Sequence, residues 1–320
     1  MQVSIIIPCY NVAAYLDRCL QSALAQTYPD VEIICVDNNS TDHTASLLSD
    51  YAVRYSDRVR VVQELEQGAP AARNRGLLEA KGKWIQFLDA DDYLLPQKIE
   101  CQIRHLQEKE ASERLGILVG DYQLRSQGQA SNWFQPEDRN SWLALFTGRL
   151  GNTCCNLWLA EAIDSVGGWN NHLKSGQEYE LMFRLLQKGW ETEISSDQQT
   201  MVEVRPESIT KGANYRSSIL NRFILHLEIL NWIVKNESQV YECFHSAMQA
   251  YAVKFLRDAI VQYPEKEEEL RQKYLQILTF PRQLKNYQIG RAFVLLYNTF
   301  GFRLARIFYQ WYAKLRQGLL

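Results

Sequence analysis

Three acids follow a run of apolar residues near the end of the first quarter of this 320-residue chain: Trp84-Ile85-Gln86-Phe87-Leu88 leads directly into Asp89-Ala90-Asp91-Asp92. The apolar run is typical of a buried strand. Carboxylates this close together repel one another and are costly to desolvate, so they usually have a compensating cation. Oxygen ligands at the open end of a strand suit Mg²⁺ or Mn²⁺. A helix N-cap near Pro96 would use the same residues, and both interpretations are open at this point.

Strand-like and helix-like segments alternate through the first ninety residues. Strands are predicted at 3–8, 31–36, 59–62 and 84–88, and helices begin near residues 13, 42 and 68. This alternation predicts a parallel α/β sheet with crossover helices. In open sheets of this kind, ligands bind beyond the carboxyl ends of the strands. The elements therefore predict which edge of the sheet carries the chemistry.

Polar side chains follow three of these strands at that edge. They are Pro8-Cys9-Tyr10-Asn11, Asp37-Asn38 and Asp89-Ala90-Asp91. Any one group could serve only a turn, because Asn and Asp favour turns and caps for local reasons. Three groups at one edge predict a binding site. Arg73 lies one turn into the helix that opens at Gly68, where an anion such as phosphate is favoured; a solvated surface arginine is the alternative.

The chain after Pro96 is predicted to continue as a mixture of helix, strand and loop. The segments are a helix to about residue 110, a strand at 115–119, an irregular loop at 126–141, a strand at 153–159, a turn at 167–170 and a final edge strand at 192–204. A helix begins at Gly176. In it, Glu178 shares the apolar stripe of Leu181, Met182 and Leu185, so its carboxylate is either a buried cap or a working group. Glu180 and Arg184 form an outer i, i+4 pair with a structural role.

Charge is distributed unevenly along the chain. The net charge is −2, but nine bases and no acid follow Glu269, so residues 1–269 carry a net charge of −11. The seven cysteines include no C-x-x-C pair, which argues against a zinc site and a disulfide framework. No basic leader precedes the first strand and no apolar run is long enough to span a bilayer. A cytoplasmic location is therefore expected.

The last hundred residues are predicted to be helical. In the final segment Phe300, Leu304, Ile307, Trp311 and Leu315 line one face, and Arg303, Arg306, Gln310 and Lys314 line the other. A basic amphipathic helix with aromatic residues is suited to the membrane interface, where anionic lipid attracts clustered bases. Packing of the helix onto its own domain is the alternative.

Taken together, these segments resemble the family 2 glycosyltransferases, which have the GT-A fold. Four pieces carry the resemblance in order: Ser4–Asn11, Val36–Asp42, Ala72–Gly76 and Leu88–Asp92. A fifth, Gly167-Gly168-Trp169 followed by Gly176–Glu180, resembles the acceptor-side motif of the family. The resemblance covers residues 1–210 and implies a Rossmann-like, mostly parallel sheet flanked by helices. Residues 211–320 are expected to form a C-terminal helical extension.

The resemblance also implies roles for individual residues. Five residues would hold the nucleotide base and ribose: Pro8, Tyr10, Asn11, Asp37 and Asn38. Asp91 would bind Mn²⁺ or Mg²⁺ directly, Asp89 would lie nearer the ribose, and Arg73 and Ala90 would contact the rest of the nucleotide sugar. Glu178 would be the catalytic base, with Trp169 and Gln177 facing acceptor or donor. The sequence departs from the family pattern at two places. Asn38 replaces the second of two paired acids, and Gln177-Glu178 replaces a Glu-Asp pair.

The implied reaction is inverting transfer of a sugar from a nucleotide-diphosphate sugar to a glycan or lipid-linked acceptor. UDP-sugars are favoured, with dTDP- and GDP-sugars as alternatives; nucleic acid is not an expected partner. The resemblance suggests bacterial surface-polysaccharide synthesis at the inner face of the cell membrane. Sugar nucleotidyltransferases are disfavoured, because Cys9-Tyr10-Asn11 stands where their glycine-rich basic loop would be. A membrane-tethered nucleotide-sugar-binding scaffold without turnover is the alternative function.

Overall fold

The chain forms two compact units in a computed structural model. The described residues are 1–109, 112–126, 129–137, 139–204, 215–278, 280–283, 285 and 291–316, without the side chains of 300, 308 and 310–316. The first unit is Met1–Ser208 and the second is Ile209–Leu320. The boundary falls close to residue 210; that the two units are domains with separate tasks stays a prediction.

The first unit is a single mixed sheet with helices around it. Its strands are β1 (Val3–Cys9), β2 (Val31–Asp37), β3 (Val59–Gln63), β4 (Trp84–Phe87), β5 (Tyr93–Leu94), β6 (Leu115–Ser126), β7 (Gln129–Phe134), β8 (Leu157–Leu159) and β9 (Glu191–Glu203). Its helices are α1 (Ala13–Leu24), α2 (Thr44–Arg54), α3 (Ala69–Glu79), α4 (Lys98–Glu108), α5 (Ser141–Thr147), α6 (Ala160–Ser165) and α7 (Gln177–Gln187).

The strand order is β3-β2-β1-β4-β8-β6-β9-β5, with β7 paired to β6 outside this path. The strands β1 to β4 are parallel, as the alternation of elements predicts. The short strand β8 then reverses the direction, because it is antiparallel to both β4 and β6. In β1 and β2 nearly every side chain is buried, which explains their continuous β-branched sequences. Their carboxyl ends meet where Cys9 is paired with Asp37.

Three predictions about the second half of this unit are wrong. The segment 126–141 contains a strand, β7, which forms a hairpin with β6. The strand predicted at 153–159 is confined to Leu157–Leu159, because residues 152–156 form a turn held by the Asn152 side chain, which accepts from the backbone N–H groups of Cys154 and Cys155. The strand β9 is not at the edge: it lies between β6, to which it is parallel, and β5.

The second unit is helical. Its helices are α8 (Tyr215–Asn236), α9 (Ser238–Gln262), α10 (Glu267–Leu275), which follows a short 3₁₀ turn at Pro264–Lys266, and α11 (Arg291–Arg316). Helices α8 and α9 pack through buried apolar residues such as Phe223, Leu230 and Leu256. Among the described residues, no helix is long and apolar enough to cross a bilayer.

The last helix differs from its predicted amphipathic pattern. Gly301 has φ 77° and ψ 175°, so α11 is kinked there into two helical halves. Arg306, predicted on the polar face, is 7% exposed and forms a 2.9 Å ion pair with Glu267. Leu304 and Ile307, predicted on the apolar face, are 46% and 47% exposed. The side chains of Phe300, Gln310, Trp311, Lys314 and Leu315 lie outside the described residues.

Candidate active site

The loops after β1 and β2 are joined by Asn11. Its backbone has φ 51°, a left-handed conformation that Asn tolerates better than most residues. Its side-chain oxygen accepts from the backbone N–H of Thr41 at 2.8 Å, and its own N–H donates to Ser40 Oγ at 3.2 Å. Asn11 therefore fixes the relative position of two loops at the predicted edge.

The other predicted nucleotide-binding residues of these loops differ in exposure. Pro8 is partly exposed near the end of β1, and Tyr10 is 48% exposed beside it. Asp37 is 8% exposed, and one of its carboxylate oxygens accepts from Ser40 N–H at 3.2 Å. Of these three, Tyr10 offers the largest open surface, an aromatic face on which a base could stack.

Asn38 has a structural role in the described fold. Its amide nitrogen donates to the carbonyls of Glu64 and Glu66 at 2.9 and 2.7 Å, and its oxygen accepts from Gly68 N–H at 2.7 Å. Both amide hydrogens are therefore used within the protein. Contact of Asn38 with a nucleobase stays a prediction, with only one acceptor lone pair left to make it.

Arg73 links several of the predicted site residues. It is 5% exposed, and its two terminal nitrogens donate to Asp89 Oδ1 at 2.7 Å and to Gln177 Oε1 at 3.0 Å. Its guanidinium also lies 4.6 Å from the ring centroid of Trp169. A planar fork can satisfy two acceptors and stack at once, which an ammonium group cannot. Residues from the β4 end, from the loop before α7 and from α7 itself thus meet on one arginine of α3.

Trp169 is held by its backbone as well as by its ring. The Asn74 side chain accepts from Trp169 N–H and donates to Trp169 C=O, both at 2.8 Å. The preceding Gly168 has φ 76°, and a Cβ atom there would lie 2.6 Å from Asn74 Oδ1, so only glycine fits. Arg184 adds bonds from its guanidinium to the carbonyls of Val166 and Gly168. The pairing of Arg184 with Glu180 at 2.7 Å confirms the predicted i, i+4 contact.

The three acids after β4 occupy different environments. Asp89 is partly exposed and paired with Arg73, Ala90 is buried, and Asp91 is partly exposed. Asp92 is 4% exposed and accepts from Glu203 N–H at 2.9 Å and from the Cys154 thiol at 3.3 Å. Burial, and then the charges of Asp91 and Asp89, raise the pKa of Asp92 well above its usual value.

These acids fit a hard divalent cation. Asp89, Asp92 and Cys154 each bring one potential ligand atom within 4.8 Å of the others. Burial raises the pKa of Cys154, and its sulfur donates to Asp92 Oδ2 at 3.3 Å. The crowded negative charge at this strand end suits Mn²⁺ or Mg²⁺, which prefer carboxylate oxygens. Asp89 and Asp91 are the partly exposed acids of this segment. Asp91 is not in the close group, so its role as the metal ligand stays a prediction.

Glu178 begins α7 beside Gln177. Leu181, Met182 and Leu185 of the same stripe are fully buried, which confirms the predicted inner face, while Glu178 is partly exposed at its open end. Burial, then the nearby Cys155 and the Glu178 carboxylate raise the pKa of Tyr122 in β6. Glu178 therefore lies near enough to Tyr122 for its charge to act on the phenol, and it is one residue from Gln177, which contacts Arg73.

Sequence reasoning placed Asn74 beside Arg73 without giving it a role, and it missed Cys154 and Tyr122. Asn74 is adjacent to Arg73 within a quoted motif, so its position was a usable signal. Cys154 and Tyr122 carry no local pattern that distinguishes them from ordinary core residues. Their place near the acids and near Glu178 depends on how β6 and β8 pair with the first four strands.

Comparison with known proteins identifies the family and the fold. The family model described as "Glycosyl transferase family 2" matches residues 4–164, half of the chain. The poly(ribitol-phosphate) β-glucosyltransferase of Bacillus spizizenii is 37% identical over 123 residues, which cover 38% of this chain and 19% of that protein. This chain spans about a third of the length of the first curated relatives it matches.

Two solved structures share the fold at low sequence identity. The S. aureus TarS fragment 1–349 in complex with UDP-GlcNAc has a TM-score of 0.57 and 18% identity, covering 99% of this chain and 92% of that chain. The mannosyltransferase PcManGT of Pyrobaculum calidifontis, in complex with GDP-Man and Mn²⁺, has a TM-score of 0.56 and 15% identity, covering 98% and 88%. The expected α/β fold of GT-A type, with a helical C-terminal region, is thereby confirmed. The chain belongs to glycosyl transferase family 2.

Proposed function

We propose that this chain is an inverting, metal-dependent glycosyltransferase. It would move a sugar from a nucleotide-diphosphate sugar to a hydroxyl of a glycan or lipid-linked acceptor in cell-surface polysaccharide synthesis. The observation that carries the proposal is the contact of Arg73 with both Asp89 and Gln177, at 2.7 and 3.0 Å. This single side chain joins the donor-side acids to the helix that bears the candidate base.

The donor would bind at the carboxyl ends of β1, β2 and β4. Tyr10 offers an exposed ring to the base, Asp37 a carboxylate to base or ribose, and Asp89 a carboxylate near the ribose. Arg73 would face the diphosphate; its Nε is buried and has no hydrogen-bond partner among the described residues. The complexes of TarS with UDP-GlcNAc and of PcManGT with GDP-Man support a nucleotide sugar of either base.

Asp91, with Asp89, would hold Mn²⁺ or Mg²⁺, and the ion when bound supplies charge that stabilises a departing diphosphate. The complex of PcManGT with Mn²⁺ supports this assignment. The chain's own residues supply the remaining steps. Glu178 would accept the proton of the acceptor hydroxyl while that oxygen attacks the anomeric carbon. The bond from the anomeric carbon to the diphosphate oxygen breaks on the opposite face, and a nucleoside diphosphate leaves.

The second unit would hold the protein at the inner face of the cell membrane. Leu295, Leu304 and Ile307 of α11 are exposed apolar side chains within a segment that contains bases and no acids. Such a surface favours the headgroup region of an anionic bilayer. This placement would give the enzyme access to a lipid-linked acceptor.

The test is release of nucleoside diphosphate from UDP-, dTDP- and GDP-sugars, with Mn²⁺ or with EDTA. We expect Asp91→Asn to abolish metal-dependent turnover and Glu178→Gln to lower it about 10²- to 10⁴-fold, the usual contribution of a general base. Glu161→Gln, an exposed change in α6, is the matched control and should retain full turnover. Donor binding without turnover on water or any acceptor would favour a scaffold protein, and unchanged turnover in Glu178→Gln would exclude that residue as the base.

A further inference from the structure

A cavity of about 450 Å³ lies within the second unit, at the kink of α11. Three arginines line it from three different elements: Arg271 from α10, Arg282 from the loop that follows, and Arg303 from α11 just after Gly301. No acid is among its described lining residues. Like charges that converge on one cavity repel one another, and an anion bound between them removes that cost.

The cavity is built on an ordered aromatic base. Phe280 lies between Tyr274 and Phe302, with ring centroids 4.8 and 5.0 Å away. Tyr297 is 4% exposed, and its hydroxyl donates to the Pro281 carbonyl at 2.7 Å, which fixes the loop that bears Arg282. The segments that bear the arginines are therefore held by packed aromatic rings and by this hydrogen bond.

Arg271 is only partly neutralised by its own helix. Its ion-pair partner Glu268 is 4.0 Å away and 74% exposed, so the attraction between them is weakened by water. The Nε of Arg271 is buried and has no hydrogen-bond partner among the described residues. Arg282 and Arg303 are exposed at the mouth of the cavity. Each guanidinium group carries five N–H donors, so the three together can offer several hydrogen bonds to one anion.

The chemistry that matches this arrangement is a phosphate or diphosphate group. Guanidinium groups bind phosphate oxygens through paired, charge-assisted hydrogen bonds. The second half of α11 also begins at the cavity, and the start of a helix favours negative charge. Leu304, next to Arg303 in the chain, is 46% exposed, and Ile307, one turn further on, is 47% exposed. An apolar surface therefore adjoins Arg303.

We propose that this cavity is a phosphate-binding site of the second unit, with Arg271, Arg282 and Arg303 as its ligands. A lipid headgroup and a soluble phosphate compound share this chemistry, and the adjoining apolar side chains offer a surface for the chain of a lipid. The site is distinct from general attraction of a basic helix to a membrane, because it depends on particular arginines. It does not rest on the proposed glycosyl transfer.

The experiment measures the binding of two probes to the full chain by calorimetry, in EDTA. One probe is inorganic pyrophosphate, and the other is dihexanoyl phosphatidate kept below its micelle concentration. We expect Arg271→Gln and Arg303→Gln each to weaken binding at least tenfold, as loss of a charged hydrogen bond does. Arg291→Gln removes the same charge from an exposed position of α11 outside the cavity and should change the dissociation constant less than twofold. Because Arg303 is exposed, its variant should fold normally, which the thermal midpoint verifies.

The outcomes separate the sources of the phosphate and the sites on the protein. Tighter binding of phosphatidate than of pyrophosphate identifies a lipid headgroup, and equal binding identifies a soluble phosphate; both support the site. Equal weakening of binding by Arg271→Gln, Arg303→Gln and the control Arg291→Gln would show diffuse attraction and overturn the proposal. The absence of saturable binding would also overturn it. Arg73→Gln is included because pyrophosphate could bind at the donor site. Binding lost only in that variant would also overturn the proposal, without bearing on the proposed transfer.

Discussion

Asp121 in β6 should make the stability of the protein depend on pH. The residue is 0% exposed, and neither of its carboxylate oxygens has a hydrogen-bond partner among the described residues. It faces a second buried carboxylate, Asp197, whose other charged partner is Lys98 at 3.2 Å. Burial, then the Asp197 charge, raise the pKa of Asp121 to about 6, and Lys98 opposes the shift.

The sign and size of the effect follow from that pKa. A carboxyl group with a raised pKa in the folded state binds its proton more tightly there than in the unfolded chain. Its stabilising contribution is therefore complete below about pH 4 and is lost as the pH rises through about 6. The full shift corresponds to about 3 kcal/mol, and solvent relaxation around the ionised group reduces this to about 2 kcal/mol.

Asp121→Asn keeps the shape of the side chain and removes the ionisation. We expect the variant to be more stable than the wild type by about 2 kcal/mol at pH 7.5. The difference should open between about pH 4 and pH 6 and be constant above that range. Urea unfolding followed by tryptophan fluorescence from pH 4.5 to 7.5 measures this difference. Carboxyl groups that do not interact with Asp121 titrate alike in both proteins, so their contributions cancel.

Asp57→Asn, an exposed change at the end of the α2–β3 turn, is the matched control and should follow the wild type at every pH. Parallel curves for the wild type and Asp121→Asn would refute the reasoning, since they would mean that Asp121 does not titrate within the range. A difference that shrinks as the pH rises would refute it more strongly.

Two further predictions concern the contacts that assemble the candidate site. Arg73→Lys keeps the charge but loses the fork that joins Asp89 and Gln177, so we expect nucleoside diphosphate release to fall about 10- to 100-fold, the equivalent of one charged hydrogen bond; undiminished release would contradict this role. Asn74→Ala removes both hydrogen bonds to the Trp169 backbone and should lower the free energy of urea unfolding by about 2 kcal/mol. Asn74→Asp keeps the acceptor and should recover about half of that lost free energy. No loss of stability in Asn74→Ala would show that the turn is held by other contacts.

The parallel half of the sheet could be predicted from the sequence because three of its four strands, β1, β2 and β4, are almost fully buried. The segments 3–8, 31–36, 59–62 and 84–88 each lie within one residue of an observed strand boundary. Local sequence decides such strands, since a continuous β-branched run has no stable alternative to a covered sheet. The same argument does not extend to β7, whose residues Gln129–Phe134 are exposed or partly exposed. Its pairing with β6, and not its own composition, makes it a strand.

The position of β9 could not be predicted for a similar reason. Its mostly polar sequence favours an edge strand, yet β6 pairs with it in parallel and β5 pairs with its other side. Its buried polar residues, Asp197 and Thr200, are positions where sequence favours exposure. Lys98, fully buried in α4, offsets part of the charge by donating to Asp197 and to the Cys155 carbonyl. Contacts between residues so distant in the chain leave no local signal.

At the candidate site, the residue types at the strand ends predict where a ligand could bind but not the role of each side chain. The sequence alone does not distinguish Asn38 from Asp37, or Asp92 from Asp91, because each pair is adjacent in the same motif. The structure gives Asn38 three bonds to the chain and buries Asp92 against Glu203 and the Cys154 thiol. A buried polar group must be satisfied within the protein, and once satisfied it has little capacity left for a ligand.

Burial therefore separates the polar residues at this edge of the sheet into two groups. The buried polar groups, Asn38 and Asp92, are bonded within the protein, whereas the acids Asp89 and Asp91 are partly exposed. Arg73 belongs to both groups, because it is 5% exposed yet pairs with Asp89. A buried arginine with a planar fork holds the carboxylate beside it in one orientation. The orientation of Asp89 is thus set by a residue that a reading of the acids alone would leave out.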